Sequence, residues 1–306
     1  MKHKSLIGAL LVFTGAVCFS SKAIIVKLAY QHTVDPVSLL ALRMIFSLPF
    51  FLLIGFFSGR KENQVSLKRK EWINLLLLGI VGYYLASLFD FQGLQYITAS
   101  LERLILFVYP TMVVVITAVV RRKPIGKTQL AALGLTYVGV FIAFAFDVNL
   151  QGQANIAIGA LLIFASAFTY ALYLFGSGSM IPKIGTFRFT SYAMSISAVV
   201  VIIHTWFVNG LAIWNFSYEV YTLSLLMALL ATVIPSFMIS GGIKMIGSDN
   251  ASIIASVGPV STIVLAYFFL NEVISASQLF GTAFVLAGVL MITLKKSPEK
   301  KKAPVA

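Results

Sequence analysis

Six charged side chains lie inside apolar stretches of this 306-residue chain: Lys22, Lys27, Arg43, Asp90, Glu102 and Arg103. A lone charge at the centre of a bilayer costs at least ~2.5–3.5 kcal/mol on insertion scales, so such groups normally pair or face a cavity. Four bases against two acids leave a surplus of +2. Surplus positive charge suits a carboxylate or a phosphate, which guanidinium and ammonium groups hold by charge-assisted hydrogen bonds.

Neighbouring residues sharpen the list. Lys22 shares a helical face with Cys18 and Gly15. Small neighbours leave room for a ligand, although they also serve helix packing. Arg103 shares a face with Phe107 and Pro110. Tyr83, Ser87 and Asp90 are spaced four and three apart, as are Glu102, Leu106 and Tyr109, so each set forms one stripe on a helix. Ser166, Thr169, Tyr170 and Tyr173 cluster further along. Tyrosine rings hold organic groups while their hydroxyls find partners. The candidate binding set is therefore Lys22, Tyr83, Ser87, Asp90, Glu102, Arg103, Tyr109, Tyr170 and Tyr173.

Each has a plainer structural reading. Asp90 and Glu102 would neutralise two of the bases and close one end of the first half. Lys27 would snorkel to the surface. The tyrosines would belt the interface or pack helices, Tyr83, Tyr109 and Tyr170 least so because they fall near mid-helix. Trp206 and Trp214 read as interfacial belt residues.

Other chemistries are excluded. Three widely spaced histidines and the single Cys18 offer neither a metal cluster nor an internal disulfide. No H-E-x-x-H, G-x-S-x-G or phosphate-binding glycine loop occurs, so no catalytic residue, cofactor or metal is expected and ATP hydrolysis within this chain is excluded.

The elements that must position these residues follow from composition. The chain is 59% hydrophobic and 11% charged, with mean hydropathy +0.95. Soluble domains have roughly 25% charged residues. Ten apolar runs, near 6–28, 36–57, 71–94, 98–120, 129–146, 154–176, 187–208, 221–243, 250–270 and 275–294, are each long enough to be read as a spanning helix. With the N-terminus in the cytoplasm, 19 of the 23 bases fall in inside segments and none in outside loops. That bias fixes a multi-pass topology with both termini cytoplasmic. It also accounts for the net charge of +13, which needs no nucleic-acid partner. Lys2-His3-Lys4 before an apolar run resembles a signal peptide, but the same stretch recurs deep in the chain.

Ile7-Gly8-Ala9-Leu10-Leu11 returns as Ile158-Gly159-Ala160-Leu161-Leu162, and Pro110, Gln129 and Gly139-Val140 return as Pro259, Gln278 and Gly288-Val289. One five-helix unit is used twice, over 6–146 and 154–294. An odd span number makes the second copy enter from the opposite side, so the halves are inverted, a plan that suits alternating access. The fold class is an all-α membrane protein, ten transmembrane helices in two inverted repeats around a central cavity. The repeat equivalents of the six charges are Tyr173, Gly178, Ala193, Ile239, Ala251 and Ser252, none charged. The fold does not require charge there, which favours a functional role. Pro110, Pro259 and Pro235 each remove a helical hydrogen bond and are expected to act as kinks or hinges. Gly241-Gly242 and Gly281 to Gly288 read as close-packing sites.

The order of motifs resembles the EamA type of the drug/metabolite transporter superfamily. Ala99-Ser100-Leu101 to Tyr109-Pro110 precedes a short loop and a glycine-bearing helix, and Asn250-Ala251-Ser252 to Gly258-Pro259, Asn271-Glu272 and Gly281 to Gly288 repeat the pattern. Gly93 and Gly242 end the third and eighth spans. The family's acidic residue after the fourth and ninth spans is present as Glu272, whereas Lys123 stands at the first-half position. The resemblance implies a helical basket lined by spans one, three, four, six, eight and nine, exporting small metabolites such as amino acids.

The function expected is a secondary-active or facilitative exporter of small polar metabolites in the cytoplasmic membrane, with an anionic or zwitterionic substrate. A channel or sensory receptor would show a filter or a ring of like residues, and an intramembrane enzyme would show a catalytic motif; neither is legible. Proton coupling rests on Asp90 and Glu102, the only acids deep enough to carry protons. Held in salt bridges they would stay ionised, as in a facilitator or exchanger.

Overall fold

The computed structural model describes residues 2–61, 67–122, 124–151, 155–246, 251 and 254–293. Among them the regular structure is helical throughout. The helices are α1 (Lys2–Tyr30), α2 (Pro36–Lys61), α3 (Arg69–Gly93), α4 (Ala99–Val120), α5 (Lys127–Gln151), α6 (Ile156–Ile184), α7 (Thr186–Asn209), α8 (Tyr218–Ile246), α9 (Gly258–Leu270) and α10 (Ala276–Thr293). Seven of these, α1 to α4 and α6 to α8, are long and apolar enough to cross a membrane. Shorter apolar helices, Lys127–Ala143, Gly258–Leu270 and Ala276–Met291, lie where the fifth, ninth and tenth spans were expected. α6 runs eight residues past its expected end. Phe141, Phe207 and Phe268 are exposed on the outer faces, as a lipid-solvated surface requires.

Polar residues define the helix ends. Asp35 accepts the Val37 and Ser38 amides at 3.0 Å and starts α2, and Thr98 accepts the Leu101 amide at 3.1 Å and starts α4. Gly185 (φ 79°) separates α6 from α7, a backbone conformation that favours glycine. At the end whose loops hold no Lys or Arg, Asn209 donates to both Asp35 oxygens at 3.1 Å, joining α7 to α2. At the opposite end Lys183 meets Glu71 at 2.8 Å, joining α6 to α3.

The two halves interlock. α1 packs on α8 and α9 of the second half, and α6 packs on α3 and α4 of the first. α2 pairs with α7, α4 with α9 and α5 with α10. Each pairing maps onto itself or onto another when the halves are exchanged.

The interior helices are interrupted at matching places. α3 contains a π-helical turn at Ile80–Leu85 and α8 one at Leu229–Val233, 149 residues later. Such turns are rare and collect at functional sites. Pro235 stands directly after the second turn. α4 breaks at Phe107 and Val108, and its second segment starts at Tyr109 with Pro110 in the first turn. α9 likewise starts after Val257 with Pro259 in its first turn. The expected proline kinks at Pro110 and Pro259 are therefore corrected to breaks. The Val108 and Val257 amides bond three residues back, to Ile105 and Ile254, which ends one segment before the proline opens the next. The stripe Glu102, Leu106, Tyr109 is broken by the same turn.

The α5–α10 pair depends on bare backbone. A Cβ added at Gly139 would sit 2.7 Å from the Gly281 carbonyl oxygen, and one at Gly281 would sit 2.6 Å from that of Gly139. Gly134, on the same helix, has open space around it. Gly139→Ala is expected to destabilise the protein by ~1–3 kcal/mol through forced separation of the helices. Gly134→Ala is expected to be neutral or to stabilise by up to ~1 kcal/mol. Thermal unfolding of both variants in detergent measures the contrast.

Candidate functional site

The cluster forms where α1, α3 and α4 meet beside the tight 94–98 turn. Asp90 stands in the last turn of α3 and Glu102 in the first turn of α4, so the turn places both carboxylates side by side. Lys22 reaches them from α1. Its Nζ lies 2.5 Å from Asp90 Oδ2 and 3.0 Å from Glu102 Oε1. The Glu102 side chain is fully buried, that of Asp90 is 4% exposed and that of Lys22 13% exposed. Asp90 Oδ1 and Glu102 Oε2 are buried with no partner donating to them among the described residues. The expectation that the two acids neutralise two bases is corrected: both close on one lysine.

The other bases have separate surroundings. Buried Arg43 donates from Nε to Thr232 Oγ1 at 2.8 Å and lies over the Phe91 ring at 5.5 Å. Thr232 sits in the α8 π turn and donates in turn to the Met227 carbonyl at 3.1 Å. Arg103, next to Glu102, packs against Gly258 of α9, where an added Cβ would lie 2.6 Å from its Nη2. It makes no hydrogen bond or ion pair among the described residues, and its Nε is buried without an acceptor. Half-buried Lys27 lies near Glu272, the acid following α9.

The tyrosines join into one wall. Tyr109 meets Tyr170 edge-on at 5.1 Å, Tyr170 stacks on Tyr173 at 5.7 Å, and Tyr173 stacks on Phe189 at 5.7 Å. Tyr83 closes the row at 4.8 Å from the Tyr173 ring, its hydroxyl 3.1 Å from that of Tyr173. The row can close because Gly82, in the π turn, leaves the space that the Tyr173 ring fills. Ser166 donates to the Ala86 carbonyl at 2.7 Å, just beyond the same turn. Tyr83, Tyr109 and Tyr170 are half-buried and Tyr173 is buried. Half-buried Ser87 lies on α3 between Tyr83 and Asp90. Trp206 and Trp214 are exposed, away from this wall.

Sequence reasoning missed two anchors. Glu272 accepts the Ala99 amide at 2.8 Å, the Ser100 amide at 3.2 Å and the Ser100 hydroxyl at 2.7 Å, so it caps α4 from the end of α9. An acid at a helix N-terminus meets unpaired N–H groups and the positive end of the dipole. Its presence at the family's acidic position was the available signal. Ser20 on α1 donates to the Gly258 carbonyl at 3.0 Å, beside the break before α9. Lys123, Asn250 and Ser252 lie outside the described residues.

A buried ion triad and an aromatic wall thus lie near an arginine that makes no hydrogen bond or ion pair among the described residues. The profile of the EamA-like transporter family matches residues 6–145 and again 157–294. The chain belongs to that family. EamA-like relatives include the uncharacterized transporter YcbK of Bacillus subtilis, 32% identical over 94% of each chain. The uncharacterized inner membrane transporter YicL of Salmonella typhimurium is 24% identical, over 94% of this chain and 95% of its own. A crystal structure at 18% identity covers 94% of this chain and 96% of its own, with a TM-score of 0.63, and shares the fold. This EamA-like chain is thus a multi-pass membrane transporter.

The triad gives a stability prediction. Lys22→Met removes the base from two buried carboxylates and is expected to destabilise the protein by ~3–5 kcal/mol. The combination Lys22→Met, Asp90→Asn, Glu102→Gln removes all three charges and is expected to recover most of that loss. Thermal unfolding of both variants decides it; equal destabilisation would mean that the charges do not act as a unit.

Proposed function

We propose that this transporter exports small, polar, amino-acid-sized metabolites bearing a carboxylate, by alternating access. The observation that carries the reading is Arg103, a guanidinium without a hydrogen bond or ion pair among the described residues, near Tyr109 and Tyr170 of the tyrosine wall. A carboxylate would bind Arg103 through charge-assisted bonds, and the organic part would lie on the tyrosine rings. Lys22 is already shared by two acids, so it orients the site rather than supplying the free positive charge.

Ten spans in two inverted repeats suit the motion. The exchange of helix partners between halves, the π turns 149 residues apart and the matched breaks before Pro110 and Pro259 support that architecture. Short segments joined by turns allow α4 and α9 to bend while α5 and α10 stay paired outside the pathway. Pro235, after the π turn of α8, is the third bending point. Both termini lie in the cytoplasm of this reading and the end without basic loops faces outward.

Purified protein in liposomes loaded with a mixed metabolite extract tests this, with loss of each compound followed by mass spectrometry against empty liposomes. Selective loss of a few carboxylate-bearing compounds is expected. Arg103→Gln is expected to slow their loss about tenfold or more, since a hydrogen bond to a charged group contributes ~1.5–3 kcal/mol. No selective loss from folded protein, or loss indifferent to Arg103→Gln, would contradict the reading.

A further inference from the structure

We propose that Glu102 and Asp90 together hold one exchangeable proton, and that this proton is the coupling ion of the transporter. The inference rests on the transport reading for its second half only. Its first half stands on geometry.

Three charged groups are in direct contact: one ammonium and two carboxylates. Each carboxylate gives one oxygen to Lys22. Each keeps a second, buried oxygen with no donor among the described residues, and both acids crowd one ammonium. Leaving both ionised would give the contact triad a net negative charge and two unsatisfied charged acceptors, which is expensive in a low-dielectric interior. A proton on one acid relieves both problems. It neutralises the contact triad, and it leaves one fewer ionised acceptor without a donor. Two carboxylates sharing a site do not both ionise freely.

The groups facing the pair decide which acid carries it. From α2, Arg43 acts on Asp90 through space while bonded to Thr232 of α8. From α4, Arg103 lies next to Glu102, with its guanidinium against α9 and in no bond with either acid. From α1, Tyr30 donates to the Phe91 carbonyl at 2.6 Å, not to a carboxylate. α6 carries no charged residue from Ile156 to Pro182, and α9 none from Gly258 to Leu270. The proton belongs on Glu102, the more deeply buried of the two, its side chain fully buried against 4% exposure for Asp90.

This ties the proton to a motion. Lys22, Asp90 and Glu102 belong to three helices, and the contacts close only when α1, α3 and α4 come together. Parting those helices toward outside water hydrates the carboxylates and removes the reason to hold a proton; closing them buries the charge again. Glu102 takes H⁺ from outside water as the helices close, and gives it to inside water when the inward opening hydrates the pair in its turn. No other bond forms or breaks. A proton would then enter for each metabolite exported.

Infrared difference spectroscopy on the full chain in liposomes tests the site with no substrate. Wild type is expected to show a carboxylic-acid C=O band at neutral pH that shifts in D2O. The band is expected to vanish in Glu102→Gln. It is also expected to vanish in Asp90→Asn, because the remaining acid then matches Lys22 one to one. Glu272→Gln is expected to leave it, since three donors hold that carboxylate ionised. No band in wild type, or a band surviving in Glu102→Gln of verified fold, overturns the proton site.

Flux tests the coupling, using the compounds that wild type releases from the metabolite extract. Acid outside is expected to accelerate wild-type export, and whatever flux remains in Glu102→Gln is expected to be indifferent to external pH. The band without pH-driven flux overturns coupling and leaves both the site and transport standing. The band with no selective release of any compound overturns the transport reading alone.

Discussion

Burying Lys22 obliges the first half of this protein to take its shape. An ammonium group this deep among apolar helices needs partners, and the chain supplies two carboxylates from the two sides of one short turn, at 2.5 and 3.0 Å. The contact fixes α1 against the junction of α3 and α4. It also sets the level at which α4 begins, and Glu272 then caps that beginning from the second half. Arg103, one residue after Glu102, is carried to the α4–α9 crossing beside Tyr109. Electrostatics at one end of the bundle thus positions Arg103 and Tyr109.

The doubled scaffold shows what was added to one copy. Position 83 and its repeat equivalent 232 both lie in π turns, and both bear hydroxyls bonded across to another helix. Tyr83 meets Tyr173, and Thr232 meets Arg43. Tyr173 is itself the repeat equivalent of Lys22. Where one half uses charge, the other uses an aromatic ring, so the same backbone builds an ion triad on one side and a tyrosine wall on the other. This asymmetry gives a doubled framework two chemically different halves.

Much of this was readable beforehand for definite reasons. Continuous apolar runs located the helices, because their length and composition are dictated by the bilayer. Intramembrane charge picked out Lys22, Asp90 and Glu102, because such charge has few alternatives to pairing or lining a cavity. The pairing itself was not readable. Six charges admit many pairings, and only the 94–98 turn brings both acids to one base. The π turns were invisible because Ile80–Leu85 and Leu229–Val233 are ordinary apolar sequence; the extra residue per turn is imposed by packing, as at Gly82 against Tyr173. Proline marked the interruptions in α4 and α9 correctly in place but not in kind. It opens a new segment there instead of bending an old one. Glu272 was identified as a family position, yet its cap on Ala99 and Ser100 spans more than 170 residues, beyond any local pattern.

The central claim is that the contacts at the outward end open and close in opposition to the other end. Spin-label distance measurements in liposomes test it most directly, with Cys18 replaced by serine. One label pair would stand at Gln31 and Val273 and another at Arg122 and Met245, all exposed positions at opposite ends. The account predicts two distances for each pair, the long one at one end rising in population as the short one rises at the other when external pH is changed. A single fixed distance at both ends, unmoved by pH, would contradict it.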